Sequence, residues 1–557
     1  MSYKYTMKTG IYWCEQCLAP IKAENAIVCP QCGTHTRYLT TDIRPVFARE
    51  RRMLQFYGHR VLVADAVWKA SKSPYYYING KSISLPMAEQ MKGDLPKIAQ
   101  FIGDEEGYDE LDEALIADYR KALKVNQPHL REMEDEAFSF ITEVYQRYRK
   151  KLLMVSFSGG KDSIVVSDLV RRALGRADIM HLFADTTLED ENTYGYIEQF
   201  REENPLVPFF EARAEHNFYQ LVEQIGPPSR VMQWCCTIFK TGPINNLLQT
   251  LGENVKVLTF YGIRRSESVQ RSGYDRVSGY DPMTDGADVG TTKIGNQITA
   301  SPIIDWLEFD VWLYILFYGL SFNKSYRLGF SRVGCWLCPL NSRWSDMLAG
   351  IFFPEETSRW RVQLIEFAKK VGKPDPEDYV DQKGWASRFG GAGLENRFTG
   401  IDAKPCGDKE NMIQYTINRP VSEQLYEFFK PLGTIHTAQE RSAFGEFVVS
   451  PKTPKLGSGL VVQAISGSDQ IRVTILDSKN FYLISAYVKH QVNKFQMCIQ
   501  CTACSAVCPH GAITVRPEQR VYHIDENKCT GCLECVNHFG STGCLVAKSI
   551  SSYGEDK

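Results

Sequence analysis

Six consecutive residues of the chain are of types that can hold a phosphate group. They are Ser158, Gly159, Gly160, Lys161, Asp162 and Ser163. They follow an apolar stretch, residues 152–157, that is typical of a buried parallel strand, and they precede an apolar helical pattern over residues 164–173. Glycines expose backbone N–H groups, a helix N-terminus carries about half a positive charge, and Lys161 adds a full one. Because the spacing differs from the Walker pattern, the segment predicts another kind of pyrophosphate cradle.

Two further strand patterns end in polar residues. The pattern over residues 179–184 ends before Asp185, and the pattern over residues 255–260 leads into a loop with three arginines. Polar residues at the carboxyl ends of parallel strands face the ligand crevice of an α/β sheet. Three arginines in one loop would repel each other unless an anion lay among them, so we expect the cluster to face phosphate. The candidate residues of this loop are Gly262, Arg264, Arg265, Glu267 and Arg271.

The rest of the chain must position these loops. At 557 residues it is long enough for three to five compact units. Its charged and hydrophobic fractions are ordinary for a soluble protein, and its net charge of −2 leaves nucleic-acid contact to local patches. The most apolar run, residues 303–320, contains three carboxylates. We therefore expect a cytoplasmic protein without a membrane span or secretion signal.

Strand and helix patterns alternate from residue 151 onward, which predicts a doubly wound α/β domain with a parallel sheet. Residues 132–150 have apolar positions at helical spacing, so we expect this helix to pack on that domain. The predicted domains are a zinc ribbon (1–41), a small basic and aromatic β-rich domain (42–103), a helical linker (104–150), the catalytic α/β domain (151–400), an α/β accessory domain (401–490) and an α+β iron–sulfur domain (491–557).

Basic and aromatic residues alternate over residues 42–81. Basic side chains interleaved with aromatic rings suit phosphates and stacked bases, which would indicate a nucleic-acid contact. A solvated charged face over a small β core has the same composition. Both interpretations stay open at the level of the sequence.

The chain has 17 cysteines, most of them in clusters. In a large protein of the reducing cytosol such clusters are typical of metal ligands rather than disulfides. The first cluster has the spacing C-x2-C-x11-C-x2-C, which can present four thiolates tetrahedrally to a structural Zn²⁺. Its members are Cys14, Cys17, Cys29 and Cys32. Cys406 stands alone and has no predicted role.

The last cluster contains the bacterial ferredoxin pattern C-x2-C-x2-C-x3-C-P and the start of a second copy. In two-cluster ferredoxins the fourth cysteine of each run ligates the other cluster. One predicted 4Fe-4S ligand set, called set I below, is Cys498, Cys501, Cys504 and Cys544. The other, called set II, is Cys508, Cys529, Cys532 and Cys535. The second run departs from the pattern because eight residues separate Cys535 from Cys544.

Residues 151–400 resemble the phosphoadenosine phosphosulfate (PAPS) reductase family in its broad sense. The resemblance rests on SGGKDS, on FADTTLEDENTYGYI, on the Trp234-Cys235-Cys236 segment with Lys240, on the arginine loop, on PIIDWLEFDVW and on GFSRVGCWLCPL. It implies the PP-loop fold of adenine-nucleotide α-hydrolases. The implied catalytic residues are Lys161, Asp162, Arg264, Arg265 and Arg271. The implied nucleotide-binding residues are Ser158, Gly159, Gly160, Lys161, Asp162, Ser163, Asp185, Gly262 and Glu267.

The family's adenylylsulfate reductase branch holds a 4Fe-4S cluster with a CC pair and a CxxC pair. The matching residues are Cys235, Cys236, Cys335 and Cys338. Four thiolates from two loops make a soft metal site that suits an iron–sulfur cluster or zinc. A cluster is the interpretation that the resemblance favours, with zinc and unligated thiols as the alternatives.

Two departures from the family's reductases point away from sulfonate reduction. Those reductases resemble each other in a degraded loop without the lysine and in a tail of the type ECGxH, whereas this loop is intact and residues 540–557 have no such tail. We therefore predict an ATP pyrophosphatase that cleaves ATP between the α and β phosphates with Mg²⁺. The small subunit of ATP sulfurylase also has an intact loop, and we expect no resemblance to it outside that loop.

The motif set resembles the ATP pyrophosphatases of DNA phosphorothioation systems, of the Dnd and Ssp types, which act in defence against phage. That resemblance implies a cysteine desulfurase as sulfur donor, DNA or another nucleic acid as acceptor, and other phosphorothioation subunits as partners. Two alternatives stay open. One is a PAPS or adenylylsulfate reductase that uses ferredoxin-type electrons, and the other is an electron-transfer or scaffold subunit that only binds nucleotide.

Overall fold

The computed structural model describes residues 9–24, 28–103, 107–252, 255–280, 288–289, 297–387, 401–406, 409–437, 439–453, 456–476 and 479–550. Two small antiparallel sheets begin the chain. The first has the strand order β2-β1-β3 and the second the order β4-β5-β6-β7. The elements are β1 (Thr9–Cys14), β2 (Ala19–Glu24), β3 (Arg37–Thr40), β4 (Ile43–Pro45), α1 (Ala48–Phe56), β5 (Val67–Ala70), β6 (Tyr75–Ile78) and β7 (Lys81–Ser84).

Several of the aromatic and basic residues around the second sheet are buried. Phe47 and Trp68 are fully buried in the core. Arg44 is buried against Glu50, with donor–acceptor distances of 2.8 and 2.7 Å, and Arg51 donates to the carbonyl of Val46 at 3.1 Å. These side chains stabilise the fold and are not available to bases or phosphates. A nucleic-acid contact by the rest of this stretch, which includes the exposed Arg60, Lys72 and Tyr75, stays a prediction.

A helical stretch follows, and it begins before the predicted helical linker 104–150, inside the predicted β-rich domain 42–103. It comprises α2 (Ala88–Met91), α3 (Leu95–Ile102), α4 (Tyr108–Tyr119) and α5 (Lys121–Arg147). The buried face of α5 includes Val125, Leu130, Ile141 and Val144, at the spacing of an amphipathic helix. This face packs on the α/β domain, which confirms the expected role of the helix.

A seven-stranded sheet forms the centre of the α/β domain, with the strand order β10-β9-β8-β11-β14-β12-β13. The pairs β8–β9, β8–β11 and β11–β14 are parallel, and β12 runs antiparallel to β14. The elements are β8 (Leu152–Ser156), α6 (Lys161–Leu174), β9 (Met180–Asp185), α7 (Glu191–Glu203), β10 (Phe209–Arg213), α8 (Phe218–Ile225), α9 (Trp234–Cys236), a π-helix (Thr237–Thr241), α10 (Gly242–Thr250), β11 (Val257–Phe260), β12 (Val277–Tyr280), β13 (Asp288–Val289) and β14 (Gln297–Ala300).

The central strands are buried on both faces. β11 is buried along its whole length, as are three of the five residues of β8, which explains their unbroken apolar sequence. The helices after the sheet are α11 (Glu308–Tyr318), α12 (Arg343–Phe352), α13 (Pro354–Lys370) and α14 (Pro376–Asp381). The predicted end of the catalytic domain, residues 388–400, lies outside the described residues.

The C-terminal part has a six-stranded antiparallel sheet of order β15-β16-β20-β19-β18-β17 and a two-stranded hairpin. Its elements are β15 (Asp402–Cys406), β16 (Lys409–Thr416), α15 (Leu425–Phe429), β17 (Gly433–Thr437), β18 (Glu446–Pro451), β19 (Leu460–Gln463), β20 (Gln470–Ile475), α16 (Phe481–Met497), α17 (Ala503–Ala506), β21 (Ile513–Arg516), β22 (Val521–Ile524), α18 (Glu534–Asn537) and α19 (Leu545–Ile550).

The chain forms two compact units. The first contains residues 1–211, 255–292 and 296–359, and the second contains residues 212–254, 293–295 and 360–557. The predicted catalytic domain is therefore divided between them. The predicted boundary at residue 490 falls inside α16, because the accessory sheet and the cysteine-rich part share one hydrophobic core. Among the described residues, no helix combines the length and the apolar character needed to cross a membrane.

Candidate nucleotide and iron–sulfur sites

The strand order of the sheet places two of the predicted loops side by side. From β8 the chain continues to β9 and β10 on one side of the sheet, whereas β11, the parallel neighbour of β8, leads to β14 on the other side. Open α/β sheets bind ligands at such a topological switch point, beyond the carboxyl ends of the strands. Residues 157–160 follow β8 and residues 261–271 follow β11, so both loops flank this point.

The two loops touch at Gly262. A Cβ atom there would lie 2.7 Å from the carbonyl carbon of Asp162, so the approach requires glycine. Ser163 closes the other loop, because its Oγ donates to the carbonyl of Gly160 at 2.8 Å and accepts from the N–H of Ser158 at 3.2 Å. The helix that starts here leaves N–H groups of its first turn without a helical acceptor. The geometry is that of an anion-binding helix N-terminus.

The Lys161 ammonium is buried beneath this loop, with 2% of the residue exposed. Its Nζ donates to the carbonyl of Ser331 at 2.8 Å and lies 3.4 Å from carboxylate oxygens of both Asp162 and Glu308. Burial alone lowers the pKa of Lys161, but Asp162, Tyr326 and Glu308 outweigh it and raise the pKa. We expected the Lys161 ammonium to point at a bound diphosphate. In the structure it lies beside carboxylates of the chain instead. A buried ammonium needs carboxylate partners, and the chain supplies them.

Arg264 is the second buried cation of the site, with 4% of the residue exposed. Its Nε donates to Asp162 Oδ1 at 2.5 Å, and one terminal nitrogen donates to Ser266 Oγ at 3.0 Å. Burial raises the pKa of Asp162, but Arg264 and Lys161 lower it further than burial raises it. Asp162 is thus an ionised bridge between two cations.

Glu308 is a site residue that the sequence did not single out. It is the first residue of α11 and is buried within 3.4 Å of Lys161. Burial opposes its ionisation, but Lys161, Arg264 and Arg44 together lower its pKa. The only available signal was an acidic residue at the start of an apolar helical pattern, in the motif PIIDWLEFDVW.

Asp42 is a second residue that the sequence did not single out. Its carboxylate accepts from the backbone N–H groups of Glu308 at 2.9 Å and Phe309 at 3.0 Å, so it caps the N-terminus of α11. Burial and the charge of Glu308 raise the pKa of Asp42 to about 7. This residue fixes the helix that presents Glu308 to Lys161.

The other two arginines of the loop have carboxylate partners of their own. Arg265 pairs with Asp305 at the surface, and Arg271 pairs with Glu267. The argument that the three arginines would repel each other unless an anion lay among them is therefore wrong, because each has an acidic neighbour in the chain. A phosphate contact of Arg264, Arg265 or Arg271 stays a prediction.

Asp185 lies at the end of β9, as the strand pattern predicted. Its Oδ1 accepts from the hydroxyl of Tyr194 at 2.8 Å. Nearby, the hydroxyl of Thr186 donates to Glu189 at 2.8 Å and lies 3.2 Å from Cys335 Sγ. The structure thus places Cys335 at the same edge of the sheet as Asp185.

The N-terminal cysteines converge on one point. The sulfur atoms of Cys14, Cys17, Cys29 and Cys32 all lie within 4.8 Å of one another. The Cys14–Cys32 distance is 3.4 Å and the Cys17–Cys29 distance is 3.8 Å. Four converging thiols on two knuckles form the donor set of a structural zinc ribbon.

Set I lines one cavity in the C-terminal part. The cavity wall includes all four predicted ligands, and most of the other side chains in it are apolar. Burial, with the neighbouring thiols of Cys504 and Cys544, raises the pKa of Cys498 to about 12. Cys544, the predicted ligand whose spacing departs from the pattern, is thus beside the others. Four soft donors in one apolar cavity fit a 4Fe-4S cluster.

The thiols of set II also lie near one another. Cys508 interacts electrostatically with Cys529 and Cys532, and Cys535 interacts with Cys508 and Cys529. Cys508 and Cys535 are buried, whereas Cys532 is exposed. The four thiols are a suitable donor set for the second cluster.

The central cysteines belong to different units. Cys235 and Cys236 are in the second unit, and Cys335 and Cys338 are in the first. Their assignment to one metal site stays a prediction.

Comparison with known proteins gives one family match for the part of the chain with the PP-loop and another for the part with the C-terminal cysteine sets. Residues 152–341 match the phosphoadenosine phosphosulfate reductase domain, and residues 497–538 match the 4Fe-4S dicluster domain. The chain carries a PAPS reductase domain joined to a 4Fe-4S dicluster domain. The first match ends well before residue 400, where the resemblance in the sequence had been placed, and the second ends before Cys544.

Three relatives illustrate the range of the PAPS reductase domain. An uncharacterised protein of Methanocaldococcus jannaschii is 34% identical over half of this chain, which spans 55% of that relative's length. Adenosine 5'-phosphosulfate reductase of Staphylococcus epidermidis is 24% identical over 38% of this chain and 82% of its own length. Sulfate adenylyltransferase subunit 2 of Mycolicibacterium gilvum is 31% identical over 34% of this chain and 61% of its own length.

The last of these likenesses corrects one expectation. The alignment with sulfate adenylyltransferase subunit 2 extends over 202 residues, so the resemblance is not confined to the loop at residues 158–163. The PAPS reductase domain therefore has likenesses both to a sulfonucleotide reductase and to an adenylyl-transferring enzyme.

Proposed function

We propose that the chain uses ATP and Mg²⁺ to adenylate an acceptor oxygen, and that sulfur then replaces the activated oxygen. The observation that carries the proposal is the intact loop 158–163 at the switch point of the sheet, with Lys161 and Arg264 beside its first helical turn. The likeness to sulfate adenylyltransferase subunit 2 supports adenylyl transfer.

In the first step the acceptor oxygen attacks the α-phosphorus of ATP. The bond from that phosphorus to the oxygen bridging it to the β-phosphorus breaks, and pyrophosphate leaves with the electron pair. The N–H groups of the first turn of α6 and the two buried cations stabilise the departing charge. Phosphate oxygens replace carboxylate oxygens of Asp162 and Glu308 as partners of Lys161 in this step.

In the second step a persulfide sulfur, donated by a cysteine desulfurase, attacks the activated phosphorus, and AMP leaves. The product is then joined to the donor through a sulfur–sulfur bond. Two electrons and one proton cleave this bond to give the thio product and a thiol. The 4Fe-4S dicluster domain supplies such electrons one at a time. DNA is the acceptor that the likeness to phosphorothioation enzymes favours.

The test compares two substrates on cluster-loaded full-length protein. We expect pyrophosphate and AMP from ATP in the presence of a persulfide donor and DNA, and no sulfite from PAPS. Lys161→Met should abolish pyrophosphate release. Lys150→Met is the matched control, because Lys150 is exposed and outside the loop, and it should keep full activity.

A reductase of adenylated sulfate is the second candidate, because the domain also resembles adenosine 5'-phosphosulfate reductase and is joined to an electron-transfer domain. Sulfite from PAPS or adenylylsulfate, without pyrophosphate from ATP, would select it. A scaffold that only binds nucleotide is excluded if Lys161→Met loses biological output while retaining ATP binding.

A further inference from the structure

The iron–sulfur domain packs against the stretch of chain that contains Cys235 and Cys236. We call residues 234–250, which comprise α9, the π-helix and α10, the pair segment. Asn245 Nδ2 donates to the carbonyl of Ala506 at 2.7 Å. A Cβ atom at Gly242 would lie 2.9 Å from Ala506 Cβ, so the two backbones approach as closely as glycine permits. Ala506 ends α17, which also contains Cys504 of set I.

Gln249 of the pair segment makes a further contact with the iron–sulfur domain, and Ile225 of α8, which precedes the pair segment, makes another. A Cβ atom at Gly511 would lie 2.6 Å from the side chain of Gln249, and Ser549 Oγ donates to the carbonyl of Ile225 at 2.6 Å. Gly511 follows Cys508 by three residues, and Ser549 follows Cys544 by five. Each contact thus lies close in sequence to a predicted cluster ligand, and all belong to the second unit.

The pair segment has an unusual backbone directly after its cysteines. The π-helix Thr237–Thr241 begins at the residue after Cys236. Short π-helical turns are rare and occur often at functional sites. Cys236 is exposed and Cys235 is half-buried.

We propose that the 4Fe-4S dicluster domain is a built-in electron donor to the group bound at Cys235 and Cys236, and that the contact of α17 with the pair segment is the transfer route. The inference rests on the proposed function, in which electrons are needed for sulfur release. Electrons would enter at set II, where Cys532 is exposed, and leave through set I, because α17, which contains Cys504, packs against the pair segment.

Each transfer moves one electron and forms no bond. A low-potential one-electron carrier protein is oxidised and the set II cluster is reduced. The electron would then pass to the cluster held by set I and finally to the group bound at Cys235 and Cys236. A rigid, closely packed contact suits this transfer, because the separation of donor and acceptor is then fixed.

The experiment uses full-length, cluster-loaded protein reduced stepwise, with freeze-quench electron paramagnetic resonance as the readout. Asn245→Ala removes the bond to Ala506, and Gly242→Val separates the two helices. We expect both variants to slow the reduction of the group bound at Cys235 and Cys236 several-fold and to weaken its magnetic interaction with the cluster of set I. Asn246→Ala is the matched control, because Asn246 is the exposed neighbour, and it should behave as the wild type.

Three results would overturn the proposal. One is wild-type reduction kinetics in both variants, with iron content unchanged. Another is the absence of magnetic interaction between the group bound at Cys235 and Cys236 and the cluster of set I in the wild type. The third is a protein that loses no iron when both Cys235 and Cys236 are replaced by serine. Pyrophosphate release from ATP should be the same in the Asn245, Gly242 and Asn246 variants as in the wild type. A failure of the proposed ATP chemistry can therefore be distinguished from a failure of the electron-transfer proposal.

A different observation concerns Lys494 of α16, which is buried with 3% of the residue exposed. Its ammonium donates to the carbonyl of Cys535 in set II at 3.2 Å, and its side chain lines the cavity of set I. It also lies 5.8 Å from the ring centre of Tyr522.

We infer that Lys494 sets the reduction potentials of both clusters. Reduction adds negative charge to a cluster, and a buried positive charge beside it stabilises the reduced form. Because the ammonium adjoins both sets, one residue affects both potentials in the same direction. Lys494 acts on the clusters through its charge and is not itself a ligand.

The test is a redox titration followed by electron paramagnetic resonance, with iron content measured in parallel. Lys494→Met should shift both midpoint potentials to more negative values, and Lys494→Arg should keep them near those of the wild type. Lys489→Met, at an exposed position on the same helix, should leave them unchanged. If Lys494→Met does not load iron, Lys494→Gln takes its place. Unchanged midpoints in a fully loaded neutral variant would contradict the inference.

Discussion

Buried charge is arranged differently at the PP-loop and in the iron–sulfur domain. At the PP-loop, Lys161 and Arg264 are matched by Asp162 and Glu308 at distances of 2.5 to 3.4 Å. In the iron–sulfur domain, the eight predicted ligand thiols have fewer cations beside them, among them Lys494, Lys452 and Arg419, which donate to the carbonyls of Cys535, Cys529 and Cys498. The first site is electrically balanced by its own side chains, whereas the second becomes balanced only when metal ions offset the thiolates.

This difference separates the roles of ligands in the two regions. A nucleotide that binds at the PP-loop must compete with carboxylates already in place, so the site can fold before it binds. The cysteine sets need their clusters as part of the structure. Variants that remove one partner should therefore act on stability in the first region and on metal content in the second.

The largest effect is expected from Cys544→Ala, which tests the metal side of the comparison. Cys544 lines the same cavity as the other members of set I, so its loss should remove one cluster, or about four iron atoms per chain. Iron analysis and electron paramagnetic resonance measure this. Cys406→Ala is the control, because Cys406 has no predicted ligand role. Equal iron content in the two variants would remove Cys544 from set I.

The next effect sharpens the contrast between buried and exposed pairs within one loop. Arg264→Met leaves Asp162 buried beside a single cation and should cost about 3–5 kcal/mol of unfolding free energy. Its neighbour Arg265 pairs with Asp305 at the surface, with side chains 36% and 67% exposed, so Arg265→Met should cost about 0–1 kcal/mol. Chemical denaturation measures both. Similar losses would indicate that the buried network is not balanced as described.

The smallest effect is a pH dependence that originates at Asp42. Its pKa is raised from 3.8 to about 7, so the folded protein binds more protons than the unfolded chain between about pH 4 and 7. The contribution of Asp42 to stability is therefore full below that window and is lost as pH rises through it. Asp42→Asn should remove this component from the pH profile of the unfolding free energy. Asp305→Asn, at an exposed position, should leave the profile unchanged.

Much of the fold followed from sequence patterns that have local physical causes. The apolar run of β8, the glycine turn after it and the start of α6 lie where the pattern predicted them. The four N-terminal cysteines converge because their spacing leaves two knuckles close together. The polar end of β9 likewise puts Asp185 at the ligand edge of the sheet.

The partners of charged groups could not be predicted in the same way. Glu308 lies 147 positions from Lys161 in the chain. Asp42 acts on Lys161 only indirectly, because it caps the helix α11 that carries Glu308. Such pairs form through tertiary packing, which leaves no periodic pattern in the sequence. The division of the catalytic segment between two units was missed for the same reason, since residues 212–254 carry no signal that associates them with the iron–sulfur domain.

The position at which ATP is cleaved tests the central claim most directly. Cluster-loaded protein is incubated with ATP labelled on the α-phosphate, together with Mg²⁺, persulfide donor and DNA, and the products are separated. The account predicts pyrophosphate in amounts equal to AMP plus adenylated acceptor, and none from Lys161→Met. Formation of ADP and phosphate, or intact ATP under all these conditions, would contradict it.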